Sequence, residues 1–146
     1  MKKSLCYALS GIVYAFRRER NIRIHFAFAF YVILAGFVTK LSETEWSAVL
    51  ICIALVIGLE LLNTAVEKLC DTVHPDRVDG IKRAKDAAAG AVMVSAAISV
   101  AIGSMIFFNS EKAGAALTFA KVHPIPAAVI VLTLPMWIYI IFGRKK

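Results

Sequence analysis

Residues 58–71 read GLELLNTAVEKLCD and bring polar side chains into the end of a long apolar run. The polar residues are Glu60, Asn63, Glu67 and Asp71, at spacings of i, i+3, i+7 and i+11. At about 100° per residue of α-helix, these spacings place the four side chains within an arc of about 80°. A charged residue inside a membrane-length apolar helix costs about 2.5–3.5 kcal/mol on insertion scales, so such residues usually mark a functional site. The alternative is a helix end that emerges into water, and the unbroken apolar run before Glu60 argues against it.

The composition indicates an integral membrane protein. Hydrophobic residues make up 60% of the 146 residues, charged residues make up 18%, and the mean hydropathy is +0.73. Soluble domains contain about 45–50% apolar residues, and one membrane-spanning helix needs about 20 residues. The net charge of +7 comes from basic residues clustered at the ends of apolar segments, which favours an anionic membrane surface over nucleic acid as the partner. The three cysteines include no CxxC pair, so the sequence indicates neither a disulfide framework nor a zinc site.

The hydropathy pattern predicts an all-α membrane protein with an amphipathic surface helix followed by four spans. The N-terminal apolar segment is short and runs into RRERNIR rather than a cleavage site, so a surface helix is favoured over a signal peptide. The predicted elements are the surface helix over about residues 4–22, spans over about 24–40, 46–71 and 82–108, a polar loop, and an additional span over about 124–142. We expect residues 1–108 to form the core domain and 109–146 to form an extension. Ser42 and Glu45 are spaced as a capping box at the start of the second span.

The distribution of lysine and arginine predicts the orientation of the spans. The basic residues lie mainly in the N-terminal arm, in the connection after the acidic helix and in the C-terminal tail. The two other loops hold only Lys40, Lys112 and Lys121. The positive-inside rule therefore places the N-terminus, the acidic end of the second span and the C-terminus on the cytoplasmic side.

This set of residues is typical of phosphoryl transfer at a membrane surface. Carboxylates from two segments, Glu19 and the acidic stripe, can hold a Mg²⁺ ion, which prefers oxygen ligands. Nearby basic residues can neutralise phosphates, and a carboxylate at the lipid boundary can take a proton from a lipid hydroxyl. The sequence contains neither GxxxxGK[ST] nor the glycine-rich loop of protein kinases. From spacing alone, Glu19 is equally consistent with a salt bridge to the neighbouring arginines.

Three segments resemble the small prokaryotic diacylglycerol kinase/undecaprenol kinase family. They are AFRRERNIRIH at residues 15–25, ELLNTAVEKLCD at 60–71 and RAKDAAAGAV at 83–92, and the likeness extends over about residues 3–108. The resemblance implies a homotrimer of three-span protomers with a surface helix and with sites shared between neighbouring subunits. It also implies that MgATP is used to phosphorylate the hydroxyl of a membrane lipid, at the cytoplasmic face of a bacterial plasma membrane.

The same resemblance assigns the catalytic and metal-binding roles. Glu60 is expected to act as the general base on the lipid hydroxyl, with Asn63 beside it. Glu19 and Glu67 are expected to bind Mg²⁺.

The resemblance also assigns the nucleotide contacts. Lys85 is expected to hold the ATP phosphates with the support of Asp86, and the remaining positions are Asp71 towards the nucleoside and Tyr7 and Arg23 near the nucleotide and the interface. Many members carry a Tyr-His pair in the loop before AKD, where this chain reads DRVD at residues 76–79. With this departure, the preference for one nucleotide is either relaxed or met by Arg77.

The lipid substrate and the non-enzymatic alternatives remain open at this point. The RRERN arm is similar to that of undecaprenol kinases of Gram-positive bacteria, so undecaprenol is the predicted acceptor and diacylglycerol is the alternative. An ion-coupled transport subunit would more often show inverted repeats or broken helices, and an inactive homologue would have lost one of Glu60, Glu67 or Lys85. The additional span lies beyond the family core, and we expect it to be a packing or anchoring helix.

Overall fold

The computed structural model describes residues 2–73 and 79–143, all of whose regular elements are α-helices. The helices are α1 (Lys2–Arg18), α2 (Arg20–Val38), α3 (Glu43–Val73), α4 (Asp79–Phe107), α5 (Ser110–Val122) and α6 (Pro124–Phe142). Within the described ranges, α2, α3, α4 and α6 are long and apolar enough to cross a membrane. The predicted fold class, an all-α integral membrane protein with an N-terminal surface helix and four spans, is confirmed.

The chain bends at Glu19, earlier than the predicted end of the surface helix near residue 22. Glu19 has an extended backbone with φ of −101° and ψ of 125°, and α2 begins at the next residue. Arg23 donates from Nη1 to the carbonyl oxygens of Phe16 and Arg17, each at 3.3 Å. The last carbonyls of a helix have no partner within the helix, so this arginine satisfies the end of α1 and stabilises the bend.

A tight turn joins α2 to α3, and the predicted capping box is confirmed there. The Ser42 backbone nitrogen donates to Glu45 Oε2 at 2.7 Å, and the Glu45 backbone nitrogen donates to Ser42 Oγ at 3.3 Å. Leu41 donates its backbone N–H to the Gly36 carbonyl at 3.1 Å. These bonds reverse the chain within a few residues and set α3 against α2.

We expect Gly36→Ala to destabilise the protein, because the α2–α3 turn packs directly against this buried glycine. A Cβ atom at Gly36 would lie 2.7 Å from Trp46 Cη2 and 3.0 Å from Leu41 Cδ1. Overpacking of this kind costs typically about 1–3 kcal/mol. The measurement is thermal unfolding in detergent micelles, where the midpoint should fall. At Gly114 in α5 an added Cβ meets nothing within 4 Å, so the control Gly114→Ala should leave the midpoint unchanged or raise it. Equal midpoints for the two variants would contradict the claim that tight packing at Gly36 requires a glycine.

The structure differs from the predicted polar loop over residues 109–123, because this segment contains α5. Asn109 Oδ1 accepts a hydrogen bond from the Lys112 backbone nitrogen at 2.8 Å, as an N-cap residue does. The signal in the sequence was an asparagine followed by a run rich in alanine, a strong helix former. Helix α6 then begins with Pro124 and returns along α2, where Tyr31 and Thr133 share a hydrogen bond of 2.8 Å.

Candidate active site

The acidic stripe of α3 runs from the interior of the structure to its surface. Glu60 and Asn63 are only 3% and 8% exposed, Glu67 is half-buried and Asp71 is exposed. Asn63 Nδ2 donates to Glu67 Oε1 at 3.0 Å, which joins two members of the stripe one helical turn apart. The stripe therefore presents a buried carboxylate, an amide and an accessible carboxylate in sequence along one helix.

Glu60 interacts with polar and acidic side chains of two segments of the chain. Its carboxylate faces the side-chain amide of Asn21 and lies close enough to Glu19 and Glu67 to interact with their charges. The neighbouring Thr64 hydroxyl, also buried, donates to the Glu60 backbone carbonyl at 3.0 Å. A buried carboxylate beside two like charges is poorly stabilised in its ionised form, and such an arrangement is typical of sites that move protons or bind cations.

Asn21 belongs to this arrangement, although it is not among the residues predicted from the sequence. It is the first uncharged polar residue after the run of basic residues and lies two positions beyond Glu19. That position after the bend, on the first turn of α2, carries its side chain to Glu60. The signal that could have identified Asn21 is its place inside the same RRERNIR motif that contains Glu19.

Asn63 leaves one acceptor for a ligand. Its Oδ1 is buried and has no hydrogen-bond partner among the residues that the structure describes. A buried unsatisfied acceptor costs about 1–3 kcal/mol, and native structures retain few of them. The amide oxygen is thus suited to a cation or to the hydroxyl of a bound molecule.

Glu19 occupies the N-cap position of α2 without capping the helix. Its side chain makes no cap hydrogen bond and is 26% exposed, and Lys68 Nζ lies 4.0 Å from Glu19 Oε1. Sequence spacing left open a salt bridge to neighbouring arginines, whereas the cation found beside Glu19 is this lysine of α3. Exposed ion pairs contribute only about 0–1 kcal/mol, so a multivalent cation can readily compete with Lys68.

The donor set fits Mg²⁺ bound together with a phosphate. Glu19, Glu67 and Asn63 Oδ1 would supply the oxygen atoms that hard cations prefer. No group of three or more His, Cys, Asp or Glu residues able to hold a metal occurs within residues 2–73 and 79–143. Mg²⁺ typically binds one or two carboxylates and takes its other ligands from water and substrate phosphates, so this set is adequate for an ion that arrives with a nucleotide.

The predicted nucleotide contacts are distributed unequally. Lys85 of α4 forms an ion pair with Asp71, and their side chains are 34% and 56% exposed, while Asp86 is exposed beside them. Tyr7 is 73% exposed in α1, about 18 Å along the helix from Glu19 at 1.5 Å per residue. The contact of Tyr7 with the nucleotide stays a prediction. Arg77 lies outside the described residues.

Arg23, predicted near the interface, is a buried structural contact at the bend. It is 5% exposed, and besides the α1 carbonyls its Nη2 donates to the Ile141 carbonyl of α6 at 3.2 Å. Its position after Glu19 connects the predicted site to the C-terminal helix.

Comparison with known proteins identifies the family to which these residues belong. The family model for prokaryotic diacylglycerol kinase matches residues 6–107. The chain belongs to the prokaryotic diacylglycerol kinase family. It is therefore a lipid kinase of bacterial membranes, with ATP as the phosphoryl donor and a membrane lipid as the acceptor, as the sequence resemblance predicted.

Individual relatives carry both substrate names known from the resemblance. The chain is 45% identical to an undecaprenol kinase of Bacillus subtilis over 105 residues, which cover 72% of this chain and 85% of the relative. It is 39% identical to a diacylglycerol kinase of Synechocystis over 104 residues, covering 70% of this chain and 59% of that protein. A diacylglycerol kinase of Haemophilus influenzae is 31% identical over 103 residues, or 70% of this chain and 87% of the relative. No solved structure matches the chain.

Proposed function

We propose that this kinase phosphorylates undecaprenol at the cytoplasmic face of the membrane, using MgATP and Glu60 as the general base. The observation that carries the proposal is the buried Glu60 carboxylate beside Asn63, Asn21 and the two further carboxylates. The 45% identity to an undecaprenol kinase supports the choice of lipid. Diacylglycerol is the second candidate, because two of the relatives carry that name at 39% and 31% identity.

The reaction requires one proton transfer and one exchange of bonds at phosphorus. Glu60 takes the proton of the lipid hydroxyl as the oxygen forms a bond to the γ-phosphorus of ATP. The bond between that phosphorus and the β–γ bridging oxygen breaks, and ADP leaves with the electron pair. Asn63 and Asn21 hold the Glu60 carboxylate and the hydroxyl in position, and Glu60 then releases its proton to water.

The remaining predicted residues would bind the nucleotide and the metal ion. Glu19 and Glu67 would hold Mg²⁺, which supplies neutralising charge to the phosphates. Lys85 would exchange its exposed ion pair with Asp71 for the phosphates, with Asp86 beside it, and a lysine is well suited to this role as a mobile point charge. The predicted contacts of Tyr7, Arg23 and Arg77 with nucleotide or neighbouring subunit are part of the same proposal.

The predicted homotrimer with shared sites accounts for the exposed faces of α3 and α4. Of the residues of α4, only Val92 is buried in the single chain. A groove of about 610 Å³ between α3 and α4 is lined in part by the small residues Gly90, Ala91 and Ser95, and small residues permit close helix approach in membranes.

The mass of the protein part of the micelle, measured by light scattering, should correspond to three copies of the chain. A monomer that retains activity would contradict this part of the proposal.

The choice between lipids is tested by offering undecaprenol and diacylglycerol separately in mixed micelles with MgATP. We expect kcat/KM to favour undecaprenol by roughly tenfold or more, within the range that differential binding of substrates provides. A preference for diacylglycerol would establish the second candidate instead. Transfer to neither lipid, by folded protein that binds ATP, would contradict both.

A further inference from the structure

Helices α5 and α6 lie outside the family match and are attached to the family core at three places. Near the start of α5, Lys112 Nζ donates to Glu45 Oε2 at 2.9 Å, with the two side chains only 13% and 26% exposed. In the middle, Tyr31 and Thr133 share a hydrogen bond of 2.8 Å. The residues after the family match are therefore docked along the whole length of α2.

The third attachment is made by Arg23 and reaches the candidate site. Its Nη1 donates to the last carbonyls of α1, whereas its Nη2 donates to Ile141 in the last turn of α6 at 3.2 Å. Both helix ends carry partial negative charge from their unpaired carbonyls. A guanidinium fork can serve the two helix ends together, whereas the single ammonium of a lysine lacks this geometry.

Aromatic contacts hold the last turns of α6 against α2, one at the bend and one further along the helix. The Arg20 guanidinium lies 5.7 Å from the centroid of the Phe142 ring, in cation–π geometry. The ring of Trp137 lies 5.9 Å from that of Phe30. Arg20 follows Glu19 directly and Arg23 lies four residues after it, so α6 contacts the segment that determines where the Glu19 carboxylate lies.

We propose that α6 holds the α1–α2 bend through Arg23, and that Arg23 is thereby a positioning residue for the Glu19 carboxylate. The C-terminal helix is then a functional part of this enzyme and not only an anchor. Glu19 lies at the bend and its side chain makes no cap hydrogen bond. The backbone conformation of the bend therefore determines the position of its carboxylate relative to Lys68 and Glu60.

The test uses a carbodiimide cross-link between Glu19 and Lys68 in the full-length protein. A water-soluble carbodiimide activates the Glu19 carboxyl, the Lys68 amine displaces the urea, and an amide bond forms only if the two side chains are in contact. The product is quantified by mass spectrometry without added metal or nucleotide, so the readout does not depend on activity. We expect Trp137→Ala to lower the cross-link yield by roughly tenfold or more, because a misplacement of about 1 Å can slow a reaction between positioned groups by up to about 10²-fold. It should also raise the Mg²⁺ concentration for half-maximal activity, with little change in the lipid KM.

Tyr139→Ala is the matched control, because Tyr139 is an aromatic residue of the same helix that is 74% exposed. It should leave both the cross-link and the Mg²⁺ dependence unchanged. If Trp137→Ala does not fold, the nearly isosteric pair Tyr31→Phe and Thr133→Val removes the middle attachment, and Arg23→Lys removes the fork while keeping the charge. We expect a reduced yield in these variants as well. An undiminished cross-link in a folded variant, whether of α6 or of Arg23, would overturn the proposal, even if lipid phosphorylation is confirmed.

Discussion

Glu60→Gln is expected to lower kcat for lipid phosphorylation by about 10²–10⁴-fold, the contribution of a positioned general base. Glutamine nearly matches the shape of glutamate, so the buried side chain can keep its contact with Asn21 but cannot accept the proton of the lipid hydroxyl. Removing a buried charge beside Glu19 and Glu67 also relieves repulsion, so the variant should be at least as stable as the original protein. The measurements are the rate of phosphate transfer and the thermal midpoint in micelles.

Glu43→Gln is the control for this variant, because Glu43 lies on the same helix and is exposed at its opposite end. It should retain the rate of the unmodified protein. A Glu60→Gln protein with more than about a tenth of the original kcat would show that another group takes the proton, since a loss of that size lies below the range of general-base catalysis.

Lys85→Gln is expected to raise the KM for ATP and lower kcat/KM by about 10²–10³-fold, the cost typical of removing one group that stabilises transition-state charge. Lys85 is the cation that the structure places closest to the exposed end of the acidic stripe, in an ion pair with Asp71. The rise in KM should be larger for ATP than for the lipid, because lipid binding does not involve this charge. Initial rates at varied ATP and fixed lipid give the two constants.

Lys82→Gln provides the comparison, because Lys82 lies one turn earlier on α4, is exposed and carries the same charge. We expect at most a small change in the KM for ATP and in kcat/KM, since water and salt screen the interaction of an exposed charge with the phosphates. Equal losses for the two variants would mean that general positive charge at this surface, rather than Lys85, attracts the nucleotide.

The features that the sequence predicted correctly are those carried by local patterns. The spacing of Glu60, Asn63 and Glu67 follows the helical repeat, so their common face required no knowledge of the tertiary structure. The capping box of Ser42 and Glu45 is complete within four residues and was equally accessible. Membrane spans follow from apolar length, which is why α2, α3, α4 and α6 were expected.

The features that were missed depend on contacts between distant parts of the chain. Arg23 and Ile141 are 118 residues apart in sequence, and Tyr31 and Thr133 are 102 apart. Neither hydropathy nor periodicity encodes which span α6 packs against, because lipid and protein surroundings are equally apolar in a membrane. The position of Asn21 beside Glu60 likewise depends on the bend at Glu19, which sequence analysis placed inside a continuous helix.

The most direct test of the central claim is the transfer of the labelled γ-phosphate of ATP to undecaprenol by the purified protein in micelles. The account predicts labelled undecaprenyl phosphate that requires Mg²⁺, forms with the unmodified protein and with Glu43→Gln, and is lost with Glu60→Gln. Two results would contradict the claim that this protein phosphorylates undecaprenol with the acidic stripe of α3 as its active site. One is a folded protein that binds ATP but releases the label only as inorganic phosphate. The other is a Glu60→Gln variant that transfers the label as well as the unmodified protein.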